Sequence, residues 1–211
     1  MTDPILINSL CRINNNDIEE FSLDGMITLG KLVDIYDGDT CKIVLIVNNK
    51  LQKFTCRLIG IDTPEMKPSV NKPDRDKEIE AAHHCRNKII QLGTNCKCEL
   101  STIMKKTECK SLLLTNTKLI KVKCHEFDKY GRLLVTIYAL PSVAGTSVAG
   151  TSVAGTSVAG TSVAGTSVAG TSVAGTSTSL EVETNKSINT ILVECGLAKS
   201  YDGGTKNVFV Y

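Results

Sequence analysis

Three short motifs between residues 37 and 132 carry carboxylates and arginines that could act together on a phosphodiester. Arg57 lies between the first two motifs, which are Asp37-Gly38-Asp39-Thr40, Asp62-Thr63-Pro64-Glu65 and Asp128-Lys129-Tyr130-Gly131-Arg132. Two carboxylates can hold a hard cation, a third can handle a water, and guanidinium groups grip phosphate oxygens. The set therefore points to metal-assisted cleavage of a phosphodiester bond.

Asp39 and Asp62 are the predicted metal ligands, with the backbone carbonyl of Thr63 as a third. Asp39 falls in a predicted turn and Asp62 at a predicted strand end, so a barrel could bring them together. An incomplete oxygen shell that waters fill suits Ca2+, and Mg2+ or Mn2+ could also bind. Taken alone, Asp-Gly is a leading signal for a plain hairpin turn, which is the competing interpretation.

Arg57, Glu65 and Arg132 are the predicted catalytic residues. Pro64 stiffens the backbone before Glu65, whose carboxylate could take a proton from water or orient that water for attack on phosphorus. The two guanidinium groups match phosphate oxygens and could neutralise charge that builds in the transition state. Individually, the three residues also fit a solvated loop acid and surface ion pairs.

The elements that must position these residues are mainly strands. Three consecutive strands joined by short turns predict a meander that begins a small barrel, with Asn48-Asn49 as a hairpin turn because Asn tolerates positive φ. β-Branched or alternating patterns predict strands at 27–36, 40–47, 51–61, 118–126 and 132–138. The expected fold class is mainly β (α+β), a five-stranded barrel with packed helices.

Two helices are predicted to pack on this barrel. Acidic residues in the first turn and apolar residues at helical spacing predict one helix from about 74 to 92. The second covers 186–195, capped by Asn185 or Ser187 and followed by Gly196. Residues 1–25 are interpreted as an N-terminal extension with a short helical piece at 18–21, and 26–211 as one domain. The stretch 94–116 is interpreted as an insertion without an assigned structure.

Residues 142–176 are a perfect tandem repeat of Ser-Val-Ala-Gly-Thr, and the domain is predicted to be interrupted by an insertion from 142 to 179. The repeat has no charge and no aromatic residue, so a disordered loop is expected, with a regular β-type stack as the alternative. Because the entropy of loop closure grows only logarithmically, lengthening a turn about eightfold costs about 2 kcal/mol.

Overall composition limits the class of protein. Hydrophobic residues make up 42% and charged residues 22%, which is ordinary for a globular protein, and the net charge is +2. No secretory signal or membrane span is recognisable, so an intracellular protein is expected. Nine cysteines are expected to be reduced thiols. A zinc site using four of them is the alternative, although no pair has the usual C-x2-C spacing: Cys96, Cys98, Cys109 and Cys124.

The motifs in this order resemble the staphylococcal nuclease (thermonuclease) family. That family has an Asp-Gly-Asp-Thr turn, Arg-Leu, Asp-Thr-Pro-Glu, a helix, Asp-Lys-Tyr-Gly-Arg and a Gly-Leu-Ala helix end. Here the last of these is Gly196-Leu197-Ala198. The similarity covers about 27–206, less the repeat and 94–116. The closing Tyr-Asp-Gly-Gly-Thr-Lys is similar to the branch found in large DNA viruses of eukaryotes, for which host cytoplasm would be the location.

The resemblance implies an OB-fold barrel and a Ca2+-dependent nuclease that cuts DNA or RNA with little sequence preference. It implies that Asp39, Asp62 and the Thr63 carbonyl hold calcium. It also implies that Arg57 and Arg132 bind and activate the phosphate and that Glu65 serves the water. A monomer acting on nucleic acid is expected, with Tyr201 near the substrate.

Two other functions remain open at this point. The first is a non-catalytic OB-fold module that binds nucleic acid or protein. A single-strand binder usually stacks bases on aromatic residues, whereas this chain has no Trp, four Phe and five Tyr, which favours phosphate chemistry. The second is a structural protein that assembles through the repeat.

Overall fold

The computed structural model describes residues 3–14, 18–141, 186–204 and 209. The predicted insertion 142–179 and part of the closing segment lie outside the described residues. The described elements are α1 (Pro4–Arg12), β1 (Ile27–Ile35), β2 (Thr40–Val47), β3 (Lys50–Leu58), β4 (Ile61–Asp62), α2 (Arg75–Gly93), α3 (Lys106–Leu114), β5 (Ile120–Phe127), β6 (Leu133–Ala139), α4 (Ile188–Glu194) and β7 (Lys199–Ser200).

Five strands close into a barrel in the order β1-β2-β3-β6-β5, and β5 pairs back with β1. Neighbouring strands are antiparallel except for β3 and β6, which run parallel over three residue pairs. The short strands β4 and β7 form a separate two-stranded sheet. The mainly β fold predicted from the sequence, a five-stranded barrel of OB type with packed helices, is confirmed.

Strict alternation of side chains builds the first hairpin of this barrel. Ile43 and Leu45 of β2 point inward with Leu32 of β1, and all three are fully buried. Asn48 and Asn49 have φ angles of 51° and 59°, so this predicted two-residue turn has both central residues in the left-handed region. That turn fixes the register in which Thr40 lies opposite Arg57, the pair that leads into the candidate site.

The parallel junction between β3 and β6 is completed by a side chain of α4. The amide nitrogen of Asn189 donates to the carbonyls of Ile59 (2.9 Å) and Val135 (3.2 Å), and its oxygen accepts from the N–H of Ile137 (3.2 Å). Ser187 caps the helix, because its side chain accepts from the N–H of Thr190. One buried amide therefore serves three backbone groups where the strands diverge.

The N-terminal extension differs from the prediction. The helix is α1, not the predicted piece at 18–21, which is irregular. Asp3 accepts from the N–H of Ile5 (2.9 Å), and Pro4 occupies the first turn, where its missing N–H costs nothing. Further along the extension, Leu23 is buried in the barrel core and the N–H of Gly25 donates to Cys124, so its last residues belong to the domain.

The stretch 94–116, which had no assigned structure, forms two parts. The first is a loop that α2 holds, and the second contains the helix α3, which packs on β1. Asn87 of α2 donates its amide to three loop carbonyls, those of Glu99, Leu100 and Thr102, at 2.8–3.1 Å. The guanidinium of Arg86 donates to the carbonyl of Met104 (2.7 Å). Within the described residues, none of the helices combines the length and apolar character that crossing a membrane requires.

We expect Asn189→Ala to lower the free energy of unfolding by about 2–4 kcal/mol, because it leaves the Ile59 carbonyl and the Ile137 N–H without this partner at about 1–2 kcal/mol each. The Val135 carbonyl keeps its hydrogen bond from the N–H of Ile59. Urea denaturation measures the change. Glu194→Ala on the same helix is the control: it removes an exposed ion pair with Lys186 and should cost less than about 1 kcal/mol. Equal effects of the two substitutions would contradict the bridging role of Asn189.

Candidate active site

The loop between β1 and β2 is shaped by Asp37. Its Oδ1 accepts hydrogen bonds from the N–H groups of Asp39 (3.1 Å) and Thr40 (2.7 Å). Gly38 is packed so closely that an added Cβ would lie 2.3 Å from Cys85 Sγ of α2 and 2.9 Å from Thr63 Cβ. The Asp-Gly-Asp motif is therefore more than a hairpin turn, because contact with α2 and the 62–65 segment requires its glycine.

Arg57 joins the two predicted metal ligands. Its Nη1 lies 2.7 Å from Asp39 Oδ2, and its Nη2 lies 3.9 Å from Asp62 Oδ1 and 3.4 Å from the carbonyl of Ile61. Asp39 is 4% exposed and Asp62 1% exposed. Burying two carboxylates away from water costs free energy unless a positive charge compensates them, and the half-buried guanidinium of Arg57 provides that charge. The two acids thus lie on either side of one cation.

A tight loop directs Arg132 toward the same cluster. Asp128 Oδ1 accepts from the N–H groups of Tyr130 and Arg132, both at 2.9 Å, and Asp128 Oδ2 accepts from the Arg132 Nε at 2.8 Å. Gly131 has a φ of 76°, which favours glycine. Arg132 Nη1 then donates to the hydroxyl of Thr40 (3.5 Å), and that hydroxyl donates to Asp39 Oδ1 (2.8 Å).

Glu65 is positioned by a second, buried acid. Its backbone N–H donates to Oε1 of Glu78 in α2 (3.3 Å), and Oε2 of Glu78 lies 2.6 Å from Nζ of Lys72. Glu78 is 2% exposed, and Pro64 before Glu65 is also buried. Glu65 itself is only half-buried, so this anchor fixes its backbone close to the protein surface.

The charges of these acids interact. Burial raises the pKa of Asp37 to about 7, the charge of Asp39 adds to the increase, and the charge of Glu65 makes a smaller contribution. Hydrogen bonds from Asp39 and Thr40 act in the opposite direction without cancelling it. The charges of Asp39 and Glu65 therefore both act on Asp37, which places the three acids in one electrostatic group.

Each predicted arginine lies next to a tyrosine ring. The Cζ of Arg57 is 5.9 Å from the ring centre of Tyr201, and the Cζ of Arg132 is 5.5 Å from that of Tyr130. Tyr130 is 72% exposed. Cation–π contacts of this kind orient the flat guanidinium groups at little cost. The expected proximity of Tyr201 to the site is reflected in its contact with Arg57.

The six predicted site residues fall in one region of the barrel. Hydrogen bonds and ion pairs connect, one after the next, Arg132, Thr40, Asp39, Arg57 and Asp62. Thr63 is buried directly after Asp62 and touches the Gly38 region through its side chain. Glu65 is linked to this group through its electrostatic effect on Asp37.

Three supporting acids were not singled out from the sequence: Asp37, Glu78 and Asp128. Asp128 had a readable signal, since Asp three residues before Gly is typical of a tight turn that the acid side chain closes. Asp37 had the same kind of signal in Asp-Gly-Asp. Glu78 had none, because acids in a first helical turn are normally solvated and its partner is a backbone group 13 residues away.

The donor set fits a hard cation only as an incomplete shell. Within the described residues, no group of three or more His, Cys, Asp or Glu side chains is arranged to hold a metal ion. The predicted set contains two such side chains, Asp39 and Asp62, with a backbone carbonyl. So few protein oxygen donors suit Ca2+ with several waters.

The alternative zinc site gains no support from the thiols. All four of its cysteines are free, and within the described residues no three of them are arranged to hold a metal ion. Cys96 Sγ lies 3.2 Å from the carbonyl of Leu112, and Cys98 Sγ lies 3.6 Å from the carbonyl of Asn87. Cys124 is fully buried in the barrel core, as is expected of a thiol acting as a small apolar side chain.

Fold and site together define a class, an OB-type barrel with a carboxylate and guanidinium cluster at its strand ends. No protein-family model matches this chain, and no curated protein matches it either. Membership of the staphylococcal nuclease family therefore stays a prediction that depends on the motifs and their order.

Asp128 is expected to make stability depend on pH. Burial alone would raise the pKa of Asp128, but hydrogen bonds from Arg132 and Tyr130 outweigh it and lower that pKa below 3.8. A lowered pKa in the folded state means that the stabilisation is present above pH 3.8 and is lost as the pH falls through the folded value.

At neutral pH the free energy of unfolding should therefore be larger for the wild type than for Asp128→Asn. The difference between the two proteins should become smaller as the pH falls. Urea denaturation of both proteins at neutral pH and near pH 3 measures it. Other acids titrate in both proteins, so the difference isolates Asp128. A gap that does not change with pH would show that the charge of Asp128 does not stabilise the loop.

Proposed function

We propose that this protein is a calcium-dependent nuclease that hydrolyses phosphodiester bonds of DNA or RNA with little sequence preference. The observation that carries the proposal is the connected set running from Arg132 through Thr40 and Asp39 to Arg57 and Asp62. It brings residues far apart in the chain, including positions 40 and 132, into contact. A structural ion pair alone would not need a second arginine linked to the same buried carboxylate through a hydroxyl.

The two arginines bind the scissile phosphate in this mechanism. Both side chains are partly exposed, at 18% for Arg57 and 26% for Arg132, so their guanidinium groups can donate to phosphate oxygens from the solvent side. Asp128 holds Arg132 through Nε and Thr40 accepts from Nη1, which leaves Nη2 for the phosphate. Such donors stabilise the charge that accumulates on the phosphoryl oxygens in the transition state.

Glu65 accepts a proton from the attacking water. The residue is half-buried, and Glu78 fixes the backbone from which its carboxylate extends. Asp39, Asp62 and the Thr63 carbonyl would hold calcium, which supplies Lewis-acid stabilisation of phosphate charge when bound. No base pocket is needed for these steps, which agrees with low sequence preference.

The direct test is cleavage of single-stranded DNA, duplex DNA and RNA by the purified full chain with calcium, then with excess chelator. Calcium-dependent degradation that the chelator stops is the expected result. A folded protein that cleaves none of the three substrates with calcium, magnesium or manganese would overturn the proposal. It would favour the alternative of a non-catalytic OB-fold binding module.

Two substitutions should separate proton transfer from cation binding. Glu65→Gln removes the proton acceptor, so we expect cleavage to fall about 100- to 10,000-fold while calcium binding and the melting temperature stay close to wild type. Asp39→Asn removes a charged oxygen donor, so we expect weaker calcium binding as well as loss of cleavage. Calorimetric calcium titration and a cleavage assay measure both effects.

Glu80→Gln and Asp76→Asn are the matched controls, because both side chains are exposed on α2 and should leave both readouts unchanged. Full activity of Glu65→Gln would remove Glu65 from the mechanism. An unchanged calcium titration for Asp39→Asn would remove Asp39 from the ligand set.

A further inference from the structure

The outer face of the β2–β3 hairpin is continuous with Arg57. Side chains two residues apart lie on the same face of a strand, and the register places successive outward pairs beyond Thr40 and Arg57. Moving away from the site, these pairs are Lys42 with Thr55, Val44 with Lys53, and Ile46 with Leu51. All six are half-buried or exposed, while the alternate residues of β2 are buried in the barrel.

This face is positively charged. Lys42, Lys53 and Arg57 lie on it, and residues 40–57 contain no Asp or Glu. Lys31 of β1 lies opposite Val44, so lysines flank that valine on both neighbouring strands. Across the described part of the chain, the ion pairs include none for Lys31, Lys42 or Lys53.

One acid adjoins the face. Asp34 lies opposite Lys42 in the register and is 7% exposed. The ammonium of Lys110 in α3 lies 3.4 Å from its Oδ2, so another cation already compensates this carboxylate. The lysines of the hairpin therefore remain available to an anion from solvent.

The spacing of these cations suits an extended polyanion. Each step of two residues along a strand advances about 6.6 Å, so Lys53 lies about 13 Å from Arg57 along β3. Steps of this size are comparable with the distance between successive phosphates of an extended single strand. The row beyond the lysines is apolar and open, with Ile46 56% and Leu51 77% exposed. Unpaired bases can contact such side chains, whereas a duplex keeps its bases inside.

We propose that this face, from Arg57 past Lys42 and Lys53 to Ile46 and Leu51, is a track that binds single-stranded nucleic acid leading into the candidate site. The inference rests on the proposed function, since a phosphate held by Arg57 defines where the strand begins. Lys42 and Lys53 bind phosphates, and the apolar row contacts bases. The track makes single strands the favoured class of substrate and strengthens binding as the strand lengthens.

The test compares Lys42→Gln/Lys53→Gln with the charge-matched control Lys88→Gln/Lys97→Gln, whose lysines lie on α2 and the loop after it. Fluorescence anisotropy measures binding of a labelled deoxythymidine strand of about 20 nucleotides, in excess chelator so that cleavage does not interfere. At about 50 mM salt the hairpin variant should bind about tenfold more weakly than wild type, and the control should not change. The slope of log K against log salt should shrink by about 1.4.

Length and strandedness sharpen the result. Binding of a single deoxythymidine nucleotide should be equal in all variants, because it reaches only the Arg57 end. Tighter binding of a duplex than of the single strand would overturn the proposal. So would a result in which polyglutamate binds the wild type as tightly as the single strand does and the hairpin substitutions weaken both ligands by the same factor. The single variant Lys53→Gln, with a slope change of about 0.7, replaces the double variant if that one unfolds.

The failures of the two proposals are distinguishable. Unchanged long-strand binding in the hairpin variant, together with normal calcium-dependent cleavage, overturns the track and leaves the nuclease proposal in place. If the hairpin variant loses long-strand binding and the wild type cleaves no substrate, the track is supported and the nuclease proposal is overturned.

Discussion

The site depends on a single electrostatic arrangement, the guanidinium of Arg57 between the carboxylates of Asp39 and Asp62. Both acids are almost completely buried, and a buried carboxylate that loses its partner costs about 3–5 kcal/mol. Arg57 is placed there by β3, because its backbone lies opposite Thr40 in the barrel register. The barrel must therefore form with this register before the three side chains can compensate one another.

Around this centre, three acidic side chains accept hydrogen bonds from backbone N–H groups; Asp37 and Glu78 are buried and Asp128 is partly buried. Asp37 closes the β1–β2 loop, Asp128 closes the β5–β6 loop, and Glu78 holds the N–H of Glu65. Each of these acid side chains bonds to backbone N–H groups in place of water. The loops that carry Asp39, Arg132 and Glu65 therefore have few alternative conformations. Loops alone would leave these residues too mobile for catalysis, and the barrel gives the anchors a rigid frame.

The barrel was predictable because alternation and the Asn48-Asn49 turn are local signals. The β2 strand begins and ends where its pattern does, and the OB-type order follows from five strands with one parallel closure.

The buried surface of α2 was not predictable. Its apolar spacing predicts one narrow stripe, yet Arg86 and Asn87 are also buried because the 94–104 loop covers a second side. Only tertiary contacts reveal such polar burial.

The site shows the same division between local and long-range information. Asp39, Asp62, Arg57 and Arg132 were found from residue type and order, because few other chemistries need two acids and two arginines at strand ends. Their mutual compensation could not be read from the chain, because it depends on barrel closure. Under the proposed function this compensation has a consequence. A cation held by the two acids would relieve Arg57 of balancing them, so its guanidinium could turn to a phosphate. Cation binding and phosphate binding would then reinforce each other. This coupling would run through Arg57, because Arg57 contacts the two acids and would also bind the phosphate.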